Sequence, residues 1–311
     1  MKGWEFQKIG EPLVLVEKAD PQPGKDEVAV DVKAAGICHS AIGIMDGSIT
    51  WMLATIPIIL GHEVAGTISA VGPDVSDWKV GDKVAIAGLG LDAPGLTQDG
   101  GFGTKCLGKV SQLMRVADSV PFDQAAAATD AGQTSRKALR LAGVGPGMKV
   151  GIIGLGGLGL TAAKMAVMLG AEVHAAEINA DVWEKATTAG VSSVVKDVAE
   201  LADLQLDAIL DFAGFGTTTA GAIEAVKPAG TVVQVGLGRS EATINTSTLV
   251  TRDITLRGSL GGSMEDALDV LRLMDEGLRI ETTLIGLDEI PAGLEKLERG
   301  EVVGRLVARN E

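Results

Sequence analysis

Residues 149–177 read KVGIIGLGGLGLTAAKMAVMLGAEVHAAE, and this stretch decides the fold. An apolar strand, Lys149–Gly154, runs into a glycine loop. A helix, Leu158–Leu169, follows and is ended by Gly170, and a second strand, Glu172–Ala176, comes next. The loop has the spacing G-x-G-x-x-G at Gly154, Gly156 and Gly159, with Leu155, Gly157 and Leu158 between them. The spacing alone is weak, because the chain holds 42 glycines. Its context is specific: the loop follows a strand, opens a helix, and is followed by an acidic residue, Glu177, at the end of the next strand. That is the fingerprint of a dinucleotide-binding turn. Gly154 makes the tight turn, Gly156 lets a pyrophosphate approach the backbone, and Gly159 lets helix and strand pack closely. The helix N-terminus offers free N–H groups to the phosphates. The Glu177 carboxylate suits a ribose diol and repels a 2′-phosphate. No Arg lies in residues 176–185 to greet such a phosphate. The expected cofactor is therefore NAD(H), with Ile178, Ala213 and Val235 as further contacts.

The same alternation continues outward. Asp181–Ala189 reads as a helix, and Asp207–Phe212, Thr231–Gly236 and Ile254–Ser259 as strands, which together argue a parallel sheet covered on both faces. Upstream the pattern differs. Leu13–Val16, Glu27–Lys33, Glu63–Val71 and Val84–Ala87 read as short strands separated by Gly/Pro turns, and residues 88–103 as a loop. Asp123–Leu141 is Ala-rich and helical. The tail reads as a helix, Glu265–Glu276, and a last strand, Arg305–Val307.

Length and composition bound the rest. The chain has 311 residues, enough for about two domains. Its net charge is 27 − 41 = −14, and no dense Lys/Arg run is present, which argues against nucleic acid or an anionic membrane surface as a partner. Two cysteines, Cys38 and Cys106, build no disulfide framework, and no signal peptide or membrane-length apolar run is seen, so a cytoplasmic location is expected. Tyrosine is absent, which removes the short-chain dehydrogenases and the aldo-keto reductases, since both need a catalytic Tyr.

Two short motifs precede the glycine loop: Gly36-Ile37-Cys38-His39-Ser40 and Gly61-His62-Glu63. A thiolate and an imidazole suit zinc. Histidine is scarce, with His39, His62 and His174 the only three, and two of them sit in these motifs.

With these motifs and the glycine loop, the chain resembles the zinc-dependent medium-chain alcohol dehydrogenases. The resemblance runs nearly end to end, through Gly36–Ser40, Gly61–Gly66, Gly81–Val84, Thr129–Thr134, the glycine loop and Gly304–Val307. It implies an α/β fold: a Rossmann doubly wound parallel sheet domain, residues 132–259, inserted in a GroES-like, mainly β catalytic domain, residues 1–131 plus 260–311. It implies one catalytic zinc held by Cys38, His62 and Asp130, with Glu63 beside the metal and able to join it. Zinc acts there as a Lewis acid on the substrate oxygen. It implies that Ser40 passes the proton, that Thr134 packs behind the nicotinamide, and that His39 and Arg305 reach the pyrophosphate. A solvated charge at a strand end is the plain alternative for Arg305.

Three departures from the family pattern stand out. Ala41 replaces the Asp that orients the zinc-bound His, Gly43 stands where a relay His often lies, and residues 88–101 hold none of the four cysteines of the structural-zinc lobe. No structural zinc is expected, and the proton must leave through the ribose or water. Ala41 favours a second reading, a zinc-free reductase acting on an activated C=C or a quinone. A third reading is a non-catalytic dinucleotide-binding protein. The apolar residues around the motifs, Ile42, Met45, Trp51, Met52 and Leu53, with Leu89, Leu260 and Gly261-Gly262, suggest a small-to-medium hydrophobic alcohol or carbonyl substrate; Trp51 and Met52 also read as plain core. A homodimer paired along the edge strand near Ile254–Ser259 is expected.

Overall fold

The central strand Glu27–Ile37 runs four residues past the Lys33 at which its polar alternation stops. Ala34-Ala35-Gly36-Ile37 is a continuous apolar run, buried on both faces, so the alternation that marks a half-exposed strand is lost just where the strand enters the core. In the computed structural model, which describes residues 1–310, this strand organises the first of two compact units, Met1–Gln133 with Gly261–Glu311; the second is Thr134–Leu260.

The main sheet of the first unit has the order Thr282–Gly286, Arg305–Arg309, Glu27–Ile37, Glu63–Val71, Lys83–Ile86, Leu113–Arg115, and Lys105–Lys109 pairs with the first half of Glu27–Ile37. All neighbours are antiparallel except the first pair. A small sheet of Val14–Glu17, Lys2–Phe6 and Ile58–Ile59 lies in the same unit. Phe6, Ile37, Ile44, Ile59, Ile68, Ile86 and Phe102 are at most 1% exposed and belong to one cluster. Each such side chain contributes about 1.5–3 kcal/mol by leaving water.

Register places the motifs. Gly36 pairs with Glu63, and Ile37 with Leu306, so the next step of the same ladder sets Arg305 beside Cys38. A helix, His39–Asp46, starts directly after Cys38. The helical run expected over Asp123–Leu141 is not uniform. It is α-helix over Phe122–Ala127, a π turn over Ala128–Gly132, and α-helix again from Gln133 to Leu141. Asp130 sits in the π turn, the kind of local widening that helices show at functional positions.

In the second unit six parallel strands take the order Ser193–Val195, Glu172–Ala176, Lys149–Ile153, Leu206–Asp211, Val226–Gln234, Thr255–Gly258. In chain order of the strands this is 3-2-1-4-5-6, the doubly wound arrangement. The fifth strand begins at Val226, five residues before the expected Thr231, through an irregular register at Leu206/Ala208 and a left-handed Ala229 (φ 59°). Apolar strands with small residues at their turns build this core, from Ile153 and Ala176 to Ile209, Ile223 and Val232. Among the described residues no helix is long and apolar enough to cross a membrane.

Candidate active site

Cys38, His62, Glu63 and Asp130 bring one sulfur, one imidazole nitrogen and two carboxylate oxygens within 4.8 Å of one another. Each comes from a different structural cause. Cys38 follows the central strand and is the N-cap of the helix His39–Asp46; Glu63 opens the neighbouring strand and His62 directly precedes it; Asp130 comes from the π turn. Glu63 is fully buried and lies over Gly36: a Cβ at position 36 would stand 2.1 Å from Glu63 Oε2. The glycine of the first motif thus makes room for the carboxylate of the second.

Arg305 completes the cluster. It is 4% exposed, donates from Nε to Glu63 Oε2 at 3.0 Å, and from Nη2 to both Glu63 and Asp130. The solvated-charge reading of Arg305 is therefore overturned. The guanidinium is engaged by two carboxylates of the first unit, because anions in low dielectric demand a counter-charge. His62 Nε2 lies 3.7 Å from Asp130 Oδ2. Burial opposes its charge, yet Asp130 and Cys38 hold it well above the ordinary imidazole value. Burial raises the Glu63 carboxyl to about 7, against the pull of Arg305. His39 is exposed; desolvation of its ring and the charge of Arg305 lower it below the ordinary value.

The donor set fits zinc. A soft sulfur, a nitrogen and a carboxylate oxygen are its protein ligands in open sites. A second observation agrees: Ser40 Oγ, two residues after Cys38, is buried without a hydrogen-bond partner. A hydroxyl in that condition is poised for a ligand atom. Among the described residues this is the one group of His, Cys and acidic side chains with such convergence. Ala41 is 3% exposed and offers His62 no carboxylate.

In the second unit the glycine loop has the geometry of a phosphate cradle. Gly154 takes a left-handed φ of 82°, and a Cβ on Gly159 would lie 1.8 Å from Gly154 O. Gly156, by contrast, faces nothing within 4 Å, so no packing within the protein requires its lack of a side chain. It caps the helix Gly157–Met168 with no side-chain partner for the first N–H groups. Glu177 is partly exposed, and both its oxygens are fixed by main-chain donors, Oε2 by Leu155 N at 2.5 Å and Oε1 by Asn179 N at 2.7 Å. Leu155 itself is buried, and its contribution to the loop is this N–H. Ile178 is 79% exposed beside it. Ala213 and Val235 flank Asp211, a fully buried carboxylate that accepts from Ala213 N, Gly214 N, Thr218 Oγ1 and Thr219 Oγ1 and whose carbonyl takes Val235 N. Sequence reasoning missed Asp211, although a lone Asp closing an apolar strand is itself a signal. Thr134 is buried.

The residues expected at the substrate separate. Trp51 is 67% exposed, which overturns its reading as core, whereas Met52 and Leu53 pack partly buried against the core of the first unit. Ile42 and Met45 line a cavity of about 270 Å³ with Leu13, Pro291 and Leu294. None of the four metal-type donors lines it. His174 bonds Ser193 Oγ and Glu172 and is a satisfied buried histidine.

Comparison with known proteins agrees with this geometry. The family profile described as "Alcohol dehydrogenase GroES-like domain" matches residues 24–123, and that described as "Zinc-binding dehydrogenase" matches residues 157–276. The chain is 31% identical to alcohol dehydrogenase 1 of Emericella nidulans over 97% of this chain and 95% of that protein. It is 29% identical to NADP-dependent alcohol dehydrogenase C 1 of Mycolicibacterium smegmatis over 96% and 94%. Among solved structures, acetophenone reductase from Geotrichum candidum in complex with NAD superposes with a TM-score of 0.93 at 30% identity, covering 99% of this chain and 97% of that one. A GroES-like unit, a Rossmann-type parallel sheet and an oxidoreductase's relatives meet in one sequence, and the chain belongs to the zinc-dependent medium-chain alcohol dehydrogenase family.

Proposed function

We propose that the protein is an NAD(H)-dependent zinc alcohol dehydrogenase and ketone reductase, with one zinc per chain, acting on small-to-medium alcohols and carbonyl compounds. The convergence of Cys38, His62 and Asp130 within 4.8 Å, with Glu63 alongside, carries the reading. A zinc-free reductase has no need of that trio. Zinc supplies a Lewis acid that polarises the substrate C–O bond.

The chain's own residues do the rest. Cys38, His62 and Asp130 hold the metal and leave a position open; Glu63, clamped by Arg305, is the group able to close it. Ser40 Oγ, buried and unpartnered, holds the proton that the hydroxyl loses on oxidation and that the carbonyl oxygen gains on reduction. Glu177, held rigid by Leu155 and Asn179, presents its remaining lone pairs to the adenosine ribose, and Gly156 leaves the loop open to the pyrophosphate. Thr134, His39, Ile178, Ala213, Val235 and Arg305 are proposed cofactor neighbours. The choice of NAD over NADP rests on Glu177 and on the absence of Arg in residues 176–185. The exposed edge strand Thr255–Gly258 supports a homodimer, and a monomer mass by light scattering would overturn that part.

The test is a ketone and aldehyde panel with NADH, with and without zinc, on wild type and Asp130→Ala. The variant should lose zinc and carbonyl reduction while still binding NADH. Metal-free enzyme reducing an enone at the full rate would replace this reading with the zinc-free reductase.

A further inference from the structure

Three buried side-chain atoms among the described residues lack a hydrogen-bond partner: Ser40 Oγ, Gln133 Oε1 and Ser259 Oγ. Ser40 follows the candidate ligand Cys38 by two residues. Gln133 follows the candidate ligand Asp130 by three, on the same helical run, and is 3% exposed. Leaving such an acceptor unpaired costs about 1–3 kcal/mol, and an apolar side chain of the same size would avoid that cost.

The amide cannot escape by turning over. Gln133 Nε2 donates to Gly88 O at 3.0 Å, so a flip would set two oxygens face to face. Its surroundings are built for it. A Cβ on Gly262 would stand 2.8 Å from Gln133 Cβ, and one on Gly88 would stand 3.2 Å from Ala93 Cβ and 3.9 Å from Gln133 Nε2. Gly88 precedes Leu89, and the sequence suggests Leu89 and the Gly261-Gly262 pair as substrate neighbours. The free oxygen belongs to a side chain three residues, about one helical turn, beyond the candidate ligand Asp130.

We infer that Gln133 is a specificity residue: its Oε1 accepts a hydrogen bond from a hydroxyl of the substrate, so the preferred substrates are diols and the hydroxyketones formed from them. The inference rests on the alcohol dehydrogenase reading above. A hydroxyl fits better than an ammonium donor, because a neutral amide oxygen gives a buried cation no compensating charge. A pocket that hydrogen-bonds a substrate hydroxyl discriminates against the analogue lacking it, since the buried acceptor is then left unpaired.

Zinc-loaded enzyme with NADH is assayed on butan-2-one and 3-hydroxybutan-2-one. The dissociation constants of two non-reducible analogues, 2-methylpropanamide and 2-hydroxy-2-methylpropanamide, are measured on the enzyme–NADH complex by NADH fluorescence. Wild type should favour the hydroxylated member of each pair by about tenfold or more, in kcat/KM and in affinity. In Gln133→Leu and Gln133→Met both ratios should fall to about 1. Wild-type ratios of 1 or less, or variants that keep the wild-type ratios, would overturn the inference and leave an ordered water as the partner of Oε1. If both variants misfold, wild-type affinity ratios of 1 or less still overturn the inference. Failure to turn over any alcohol or carbonyl compound, with zinc and NADH both bound, sinks the underlying alcohol dehydrogenase reading instead.

Discussion

Arg305 Nε donates to Glu63 Oε2 at 3.0 Å, with side chains 5% and 0% exposed. The same guanidinium reaches Asp130, so one buried cation serves a fully buried carboxylate and a partly buried one. Removing the cation strips the fully buried Glu63 of its guanidinium and takes one partner from Asp130, which keeps His62 at 3.7 Å. Breaking a buried ion pair from one side costs about 3–5 kcal/mol. Arg305→Gln should therefore lower the thermal midpoint of chelator-treated enzyme markedly. Arg305→Lys should recover little of it, because an ammonium cannot form the fork that spans two carboxylates. A midpoint unchanged in Arg305→Gln would show that the cluster is not under this charge constraint.

Cofactor choice turns on Glu177. Its carboxylate already accepts Leu155 N and Asn179 N, so its orientation is set before any nucleotide arrives. Glu177→Ala removes both the acceptor for the ribose and the group that fixes the Leu155 amide. A hydrogen bond to a charged group contributes about 1.5–3 kcal/mol, so NADH affinity should fall by about one to two orders of magnitude. Discrimination against NADPH should relax at the same time. Fluorescence titration with both nucleotides checks this, and a native enzyme that binds NADPH better than NADH would contradict the assignment.

The motif residues were legible because each is local. Cys38, His62 and the glycine loop announce themselves within six residues, and their strands follow from apolar runs. What escaped was decided at long range or against local propensity. Arg305 meets Glu63 across 242 residues of chain and Asp130 across 175, through strand register that no pattern in the sequence displays. The helix Ile290–Glu298 carries Pro291 and Gly293, which hide it from a propensity reading. The helix His39–Asp46 contains Gly43 and stops at a left-handed Gly47, so it reads as turn. The π turn at Asp130 has no sequence signature. Gln133 offered none: it opens the polar stretch Gln133-Thr134-Ser135-Arg136-Lys137, where one more amide does not stand out.

Ala41 is the departure that bears most on the metal. It is 3% exposed, and His62 has no carboxylate partner from this position. Orienting carboxylates behind a metal-bound histidine typically change affinity about 10–100-fold. Ala41→Asp should therefore bind zinc more tightly by that order, read by competition with a chromophoric chelator. Without metal, the new buried carboxylate should lower the thermal midpoint, and zinc should restore it by binding the folded state. Unchanged or weaker zinc affinity would show that residue 41 does not face the ligand shell.

The two thiols provide an independent check on the ligand set. Cys106 is fully buried, and burial pushes its thiol up to about 12, so it holds almost no thiolate at neutral pH and is closed to reagent. Cys38 is half-buried, among His62, Glu63 and Asp130. Chelator-treated native enzyme should therefore release one equivalent of thionitrobenzoate from Ellman's reagent rapidly, and unfolded enzyme two. Zinc at one equivalent should suppress the fast reaction, because a coordinated sulfur is no longer a free nucleophile. Cys38→Ser should remove the fast thiol while leaving Cys106 slow. Two fast thiols in the native protein would contradict the burial of Cys106. A fast thiol indifferent to zinc would place the metal away from Cys38.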